Sequence, residues 1–417
     1  MKAKIRQKIF DWIVVIFEIT YSIAIPMHIF FITPIVKGMM ALMFFSLFSH
    51  VIRFGFRFSI FSIKLRNWPL FLLILILLLD IFQAALLGDL NKTGYVGCLL
   101  LNNIFFLSYL NNLLREKREF DYALEPYLGY SLYNIFVIVI VTFLILAGFP
   151  WESNMLTDDI RVLEEDMAGG ATYYFPYFLS IAADYHPIRI FGQLPGLSGL
   201  SHEPHIIMWI ITPAVIMGFT NIKHKLIKTI LIFVYIFIAV NSMSSMNLVC
   251  VLILVTFQAI WMTARSHNIW NLLFLTLLIT LILFVFNEIL DTVFLQVISK
   301  FESSGSKDYT SDMLKYIISF KGLFGYGNFP PSSGQYAVGE SAGIITGLLD
   351  ITLYVVLIYR SFILSISGEV KKHYLGLGFM YFLLHGLKLN YMLIIYPFFT
   401  YMIFLLCITT DRKYAIR

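Results

Sequence analysis

Residues Pro69–Leu87 read PLFLLILILLLDIFQAALL, nineteen residues with Asp80 as the only charge. An apolar run of about 18 residues or more reads as a helix that crosses a bilayer. Working outward, comparable runs fall at about 12–32, 38–52, 95–114, 130–149, 206–219, 227–240, 247–262, 269–289, 338–358, 374–389 and 391–408. The sequence therefore predicts an all-α, polytopic integral membrane protein with about twelve transmembrane helices in a single domain over 1–417. The first run lacks a small-residue cleavage site and reads as a retained helix.

Composition agrees. The chain of 417 residues is 59% hydrophobic and 17% aromatic but only 13% charged, which is too little charge for a soluble domain of this size. The net charge of +5 comes from basic residues dispersed at segment ends, so no nucleic-acid partner is expected. Cys98, Cys250 and Cys407 are scattered through apolar runs, which argues against disulfides and against a metal cluster.

Two long polar intervals interrupt the pattern, at about 150–204 and 290–336. Of the 30 basic residues, 21 fall on the side of the N-terminus and nine on the other. The positive-inside bias then places both termini in the cytoplasm and makes both long intervals outward-facing loops. Chemistry or recognition is expected there.

The first interval ends in RIFGQLPGLSGLSHEPH, Arg189–His205. One arginine, two histidines and one glutamate stand among glycines and prolines, where a polar mouth meets an apolar helix. Ionisable residues in that position are expensive and therefore functional by default. Arg189 can hold a phosphate or diphosphate through two parallel N–H bonds. Glu203 or His202 could take a proton from an attacking hydroxyl. His202 and His205 are three apart, yet the usual zinc signatures are absent, so neither metal nor cofactor is expected.

Earlier in the same interval, acidic residues flank Arg161 in WESNMLTDDIRVLEEDMAGG, which reads best as an amphipathic helix with a solvated face. The aromatics of ATYYFPYFLSIAADYHP fit sugar stacking and an interfacial belt equally well. In the second interval Lys300, Lys307, Lys315 and Lys321 oppose the topology bias, which suits an anionic ligand or anionic headgroups. Apolar positions at helical spacing in 311–320 suggest a surface helix. Within the runs, Asp80, Asn102, Asn103, Asp350, His385 and Lys388 are polar outliers. Asp80, His385 and Lys388 fall near the outer ends and could line a cavity, whereas Asn102 and Asn103 suit helix–helix hydrogen bonds.

Three segments together carry a family resemblance: Arg189-Ile190-Phe191-Gly192, Ser201-His202-Glu203-Pro204, and the glycine-rich turn Gly322-Leu323-Phe324-Gly325-Tyr326-Gly327. With a dozen spans and two large outer loops, the chain resembles the O-antigen polymerase (Wzy) and O-antigen ligase superfamily. The resemblance implies a metal-independent membrane glycosyltransferase on the outer face of the bacterial inner membrane. Its substrate would be an oligosaccharide on undecaprenyl diphosphate, with membrane lipid around it and a chain-length regulator as a further partner. Glu203, His202 and Arg189 would be catalytic, and Arg161, Lys307, Lys315, Tyr309 and His205 would hold diphosphate and glycan. Two departures stand out. Lysines replace the arginine often found in the second loop. The stretch QYAVGESAG, 335–343, lacks the histidine usual in ligases, which favours a polymerase. A ligase and a flippase of the same lipid-linked unit are the competing readings.

Overall fold

The computed structural model describes residues 2–20, 35–59, 67–86, 90–148, 204–242, 245–266, 337–386 and 397–409, with short pieces at 172–174, 181–183, 196–197 and 199 and single positions at 270, 273 and 276. Eleven α-helices are described: α1 (Lys2–Thr20), α2 (Ile35–Phe54), α3 (Trp68–Leu86), α4 (Leu90–Lys117), α5 (Phe120–Leu146), α6 (Pro204–Gly218), α7 (Lys225–Asn241), α8 (Ser245–Ser266), α9 (Ala337–Ser365), α10 (Val370–Gly386) and α11 (Pro397–Thr409). The expected run at 269–289 lies almost wholly outside the described residues. Of the twelve expected spans, four are long and apolar enough among the described residues to cross a membrane.

Four of them contain stretches long and apolar enough to cross a membrane: Trp68–Ala85, Thr93–Lys117, Phe120–Leu146 and Leu348–Ser365. Eighteen residues rise about 27 Å, close to the thickness of a bilayer's hydrocarbon core. Three further apolar helices are shorter: Ile206–Asn221, Val249–Thr263 and Pro397–Thr409.

The distribution of side chains is inverted relative to a soluble protein. Phe44, Phe48 and Ile52 on α2, Phe71, Leu75, Leu78 and Phe82 on α3, and Leu348, Ile351, Val355 and Tyr359 on α9 all face outward. They recur every three or four residues, which makes one apolar stripe per helix. Ile52 is 74% exposed, while Glu18, Asn102, Asn103 and Asn134 are at 0%. Water would penalise such stripes, but lipid does not.

Ion pairs and hydrogen bonds gather the basic helix ends at one end of the bundle. Lys8 pairs with Glu125 at 2.6 Å, and Lys371 pairs with Asp121 at 2.7 Å. Arg265 donates to the carbonyl of Gly368. Arg53 reaches Asp11 at 3.0 Å and Glu116 at 2.7 Å. We call this the basic end.

Two local features depart from the sequence reading. The fifth run starts ten residues earlier than expected, at Phe120, and Pro126 lies inside the helix. Pro126 is the seventh residue of the helix, so it removes the N–H that would have bonded to the Tyr122 carbonyl, and the helix runs on through it. Arg118, at φ 56°, turns the chain between α4 and α5 in the left-handed region. In addition, the first polar interval holds a small antiparallel sheet of β1 (Thr172–Tyr174), β2 (Ile181–Ala183) and β3 (Gly196–Leu197), in the order β1-β2-β3.

Candidate functional site: a recess above short helices

α6 opens on Pro204, the residue that follows Ser201-His202-Glu203. Proline suits the first helical position, where its missing N–H is an orphan in any case and its fixed φ is already helical. α6 has 15 residues, about 22 Å of rise. Its far end lies at the basic end, where Phe219 meets Tyr374 of α10 with ring centroids 5.7 Å apart.

The start of α6 does not reach the level of its neighbours. Tyr127 of α5 donates to the carbonyl of Ile210 at 2.6 Å. Only six residues of α6 lie beyond Ile210, about 9 Å, whereas nineteen residues of α5 lie beyond Tyr127, about 28 Å. The chain just before α6 confirms the offset. Gly199 packs on Asn134, so that a Cβ there would sit 2.7 Å from the Asn134 Oδ1. Asn134 is twelve residues, about 18 Å, short of the end of α5. Gly199 has φ 56°, which a side chain would strain, so glycine is required twice over. The end of the first polar interval therefore dips into the bundle.

Other helices end at this depth. Trp209 of α6 stacks on Phe382 of α10 at 4.7 Å, and both meet Phe398 of α11 edge-on, at 5.1 and 5.3 Å. Phe382 is four residues before the end of α10, and Phe398 is the second residue of α11. The Trp209 Nε1 donates to the Phe382 carbonyl at 2.9 Å, which satisfies the indole in an apolar setting. Asn247, third in α8, accepts from Tyr381 at 2.5 Å and from Thr212 at 3.3 Å. We call the level at which these helices begin the recess. The N-terminal ends of α6, α8 and α11 meet there, and each carries N–H groups with no intrahelical acceptor.

A buried polar network underlies the floor. The Tyr381 hydroxyl lies 2.7 Å from His385 Nδ1, and Thr212 lies 3.1 Å from the Tyr235 hydroxyl. Below it, between α6, α7, α8 and α10, runs an apolar cleft of about 400 Å³ lined by Tyr235, Val251, Leu254, Ala259, Tyr374 and Leu377. At its basic end Gln258 binds His373 Nε2 at 2.5 Å, and the imidazole stacks on Trp261 at 4.0 Å. Burial pushes His373 below the usual histidine range.

Arg161, Arg189, His202, Glu203, Lys307, Tyr309, Lys315 and Lys388 lie outside the described residues. Of His205 only the backbone is described, in the first turn of α6. Among the remaining outliers, Asp80 and Asp350 sit on the packed helices α3 and α9, which a 3.2 Å hydrogen bond from Gln83 to Thr346 also joins. Asn102 bonds across helices, to Glu18 of α1 at 2.9 Å. Neither polar atom of Asn103 has a hydrogen-bond partner among the described residues.

Sequence reasoning missed Glu18, which is wholly buried. The signal was a lone acid in the first apolar run. It also missed Tyr381, whose spacing of four from His385 puts both on one helix face. The three free cysteines are as expected, with Cys250 and Cys407 buried. No family model, curated protein or solved structure matches this chain.

Proposed function

We propose that the chain is a membrane glycosyltransferase that polymerises lipid-linked repeat units. It moves a glycan chain from polyprenyl diphosphate onto a hydroxyl of the next unit. The observation that supports this reading is the depth at which α6, α8 and α11 begin, with Gly199 packed on Asn134 beside it; Ser201-His202-Glu203 fall between Gly199 and Pro204 in the sequence. Diphosphate is a good leaving group, so the site mainly needs fixed positive charge where charge develops. Arg189 supplies it together with Lys307 or Lys315, and the N-terminal ends of α6, α8 and α11 add partial positive charge. Glu203 or His202 serves as the base toward the acceptor hydroxyl. The apolar cleft below gives part of a prenyl chain a dry path. In this reading the basic end is cytoplasmic and the recess opens to the outer face of the inner membrane.

The test is a gel of surface polysaccharide from cells carrying Arg189→Ala. A lost ladder, with single repeat units still attached and protein abundance unchanged, is expected. Retained full-length polymer would remove the role. One observation favours a second reading, a transporter of the same lipid-linked unit. Glu18, Ser46 and Asn102 form a buried polar group, with Ser46 and Asn102 midway along α2 and α4, the depth at which transporters place coupling sites. Accumulation of the unit on the inner leaflet in a strain lacking the protein would select that reading.

A further inference from the structure

We propose that Glu18, Ser46 and Asn102 form a proton-binding site in the middle of the bundle, and that the site exchanges its proton with the basic end along the seam between α2 and α4. This inference does not depend on the glycosyltransferase reading.

Glu18 is fully buried and receives two hydrogen bonds. Ser46 of α2 donates to Oε1, and the Asn102 amide of α4 donates to Oε2 at 2.9 Å. Both donors are neutral. Among the described residues no cation lies within ion-pairing distance of the carboxyl. On the packed helices Lys37 is exposed at the far end of α2, nine residues before Ser46, and the buried charges are engaged toward the basic end. Asp11 and Glu116 hold Arg53, and Glu125 holds Lys8. His50 of α2 is the nearest other titratable group along that helix. The described part of α11 carries no charged residue.

An ionised carboxyl with two neutral donors and no counter-ion is costly in an apolar interior. A neutral acid is not, provided that its O–H finds an acceptor. Asn102 Oδ1 is buried and has no hydrogen-bond partner among the described residues. The amide therefore offers its N–H to one carboxyl oxygen and keeps its own oxygen open, the complement of a protonated acid.

The seam then supplies a route. One turn beyond Ser46, buried His50 lies 3.0 Å from the Ser108 hydroxyl and 3.2 Å from the Asn112 amide. Asn112 also donates to the Arg57 carbonyl at 2.8 Å, where the chain reaches the surface. Ser49, also buried, stands between Ser46 and His50 in sequence. Since His50 Nδ1 has no partner among the described residues, the imidazole has a second nitrogen available to pass a proton.

Infrared difference spectroscopy on the purified full chain at neutral pH tests this. Native minus Glu18→Gln should show the carbonyl band of a protonated carboxyl, and sodium should leave it unchanged. Asn102→Leu should shift the same band, which gives a handle independent of how well Glu18→Gln folds. On transfer to heavy water the band should shift promptly in the native chain and several-fold more slowly in His50→Leu. Carboxylate bands at neutral pH, a band removed by sodium, a band that Asn102→Leu leaves in place, or a native band that never exchanges would each overturn the proposal.

Discussion

The two parts of the bundle use helix length differently. From α1 to α5 the chain makes helices of 19 to 28 residues, and two of them, α4 and α5, exceed what a bilayer needs. In contrast, the described parts of α6, α7, α10 and α11 have 13 to 17, while α8 has 22 and α9 has 29. Long helices carry their termini out to water, where orphan N–H and C=O groups are hydrated. Short helices leave those groups inside the bundle, where something must satisfy them. Irregular backbone at membrane depth is tolerated only where protein or a water-filled cavity surrounds it. The first part is thus a wall and the second a floor, and Gly199 packs on the wall at Asn134.

The largest expected effect falls on the wall. Arg53 sits between Asp11 and Glu116, and Asp11, 1% exposed, also receives the hydroxyls of Tyr109 at 2.5 Å and Tyr122 at 3.1 Å. Removing the guanidinium leaves Asp11 buried without its counter-ion. Arg53→Met should cost about 3–5 kcal/mol, the range for breaking a buried pair. Loss of the monodisperse peak in thermal challenge of detergent-solubilised protein would show it, whereas an unchanged melting point would mean the pair is not what locks α1 to α2 and α4.

A smaller effect, and one confined to the floor, is expected at Gly199. Gly199→Ala forces a side chain into the left-handed region, about 1–2 kcal/mol, and pushes it onto Asn134. Since this segment only rests on the wall, thermal stability should change little while the proposed polymer shortens or disappears. Equal loss of stability and product would show that the segment is part of the scaffold.

The difference between wall and floor also explains what the sequence made legible. Runs such as 69–87 announce themselves because hydropathy is a sum over the window, and nearly every residue agrees. The same summing hides Glu18, since one carboxyl barely moves the mean of an apolar run. Depth is hidden for another reason. That α6 starts well below the end of α5 depends on which residues meet across helices, Tyr127 with Ile210 and Gly199 with Asn134, and no local pattern encodes such pairings. The glycine and proline content before α6 marked irregular backbone; of that stretch β3 and Gly199, with φ 56°, are described.

The smallest expected effect probes the floor's own polar network. Tyr381→Phe removes one hydroxyl that now serves Asn247 at 2.5 Å and His385 at 2.7 Å, with no change of shape. Interhelical hydrogen bonds in membranes average roughly 0.6 kcal/mol and reach about 1.7, because the alternative arrangements also find partners. A melting-point loss at the low end is therefore expected, far below that of Arg53→Met. Asn247 retains Thr212 at 3.3 Å, so the floor loses a strut and keeps its place. If Tyr381→Phe instead destabilised the protein as much as Arg53→Met, the floor would be as rigid as the wall, and the division between a load-carrying frame and an inserted recess would fail.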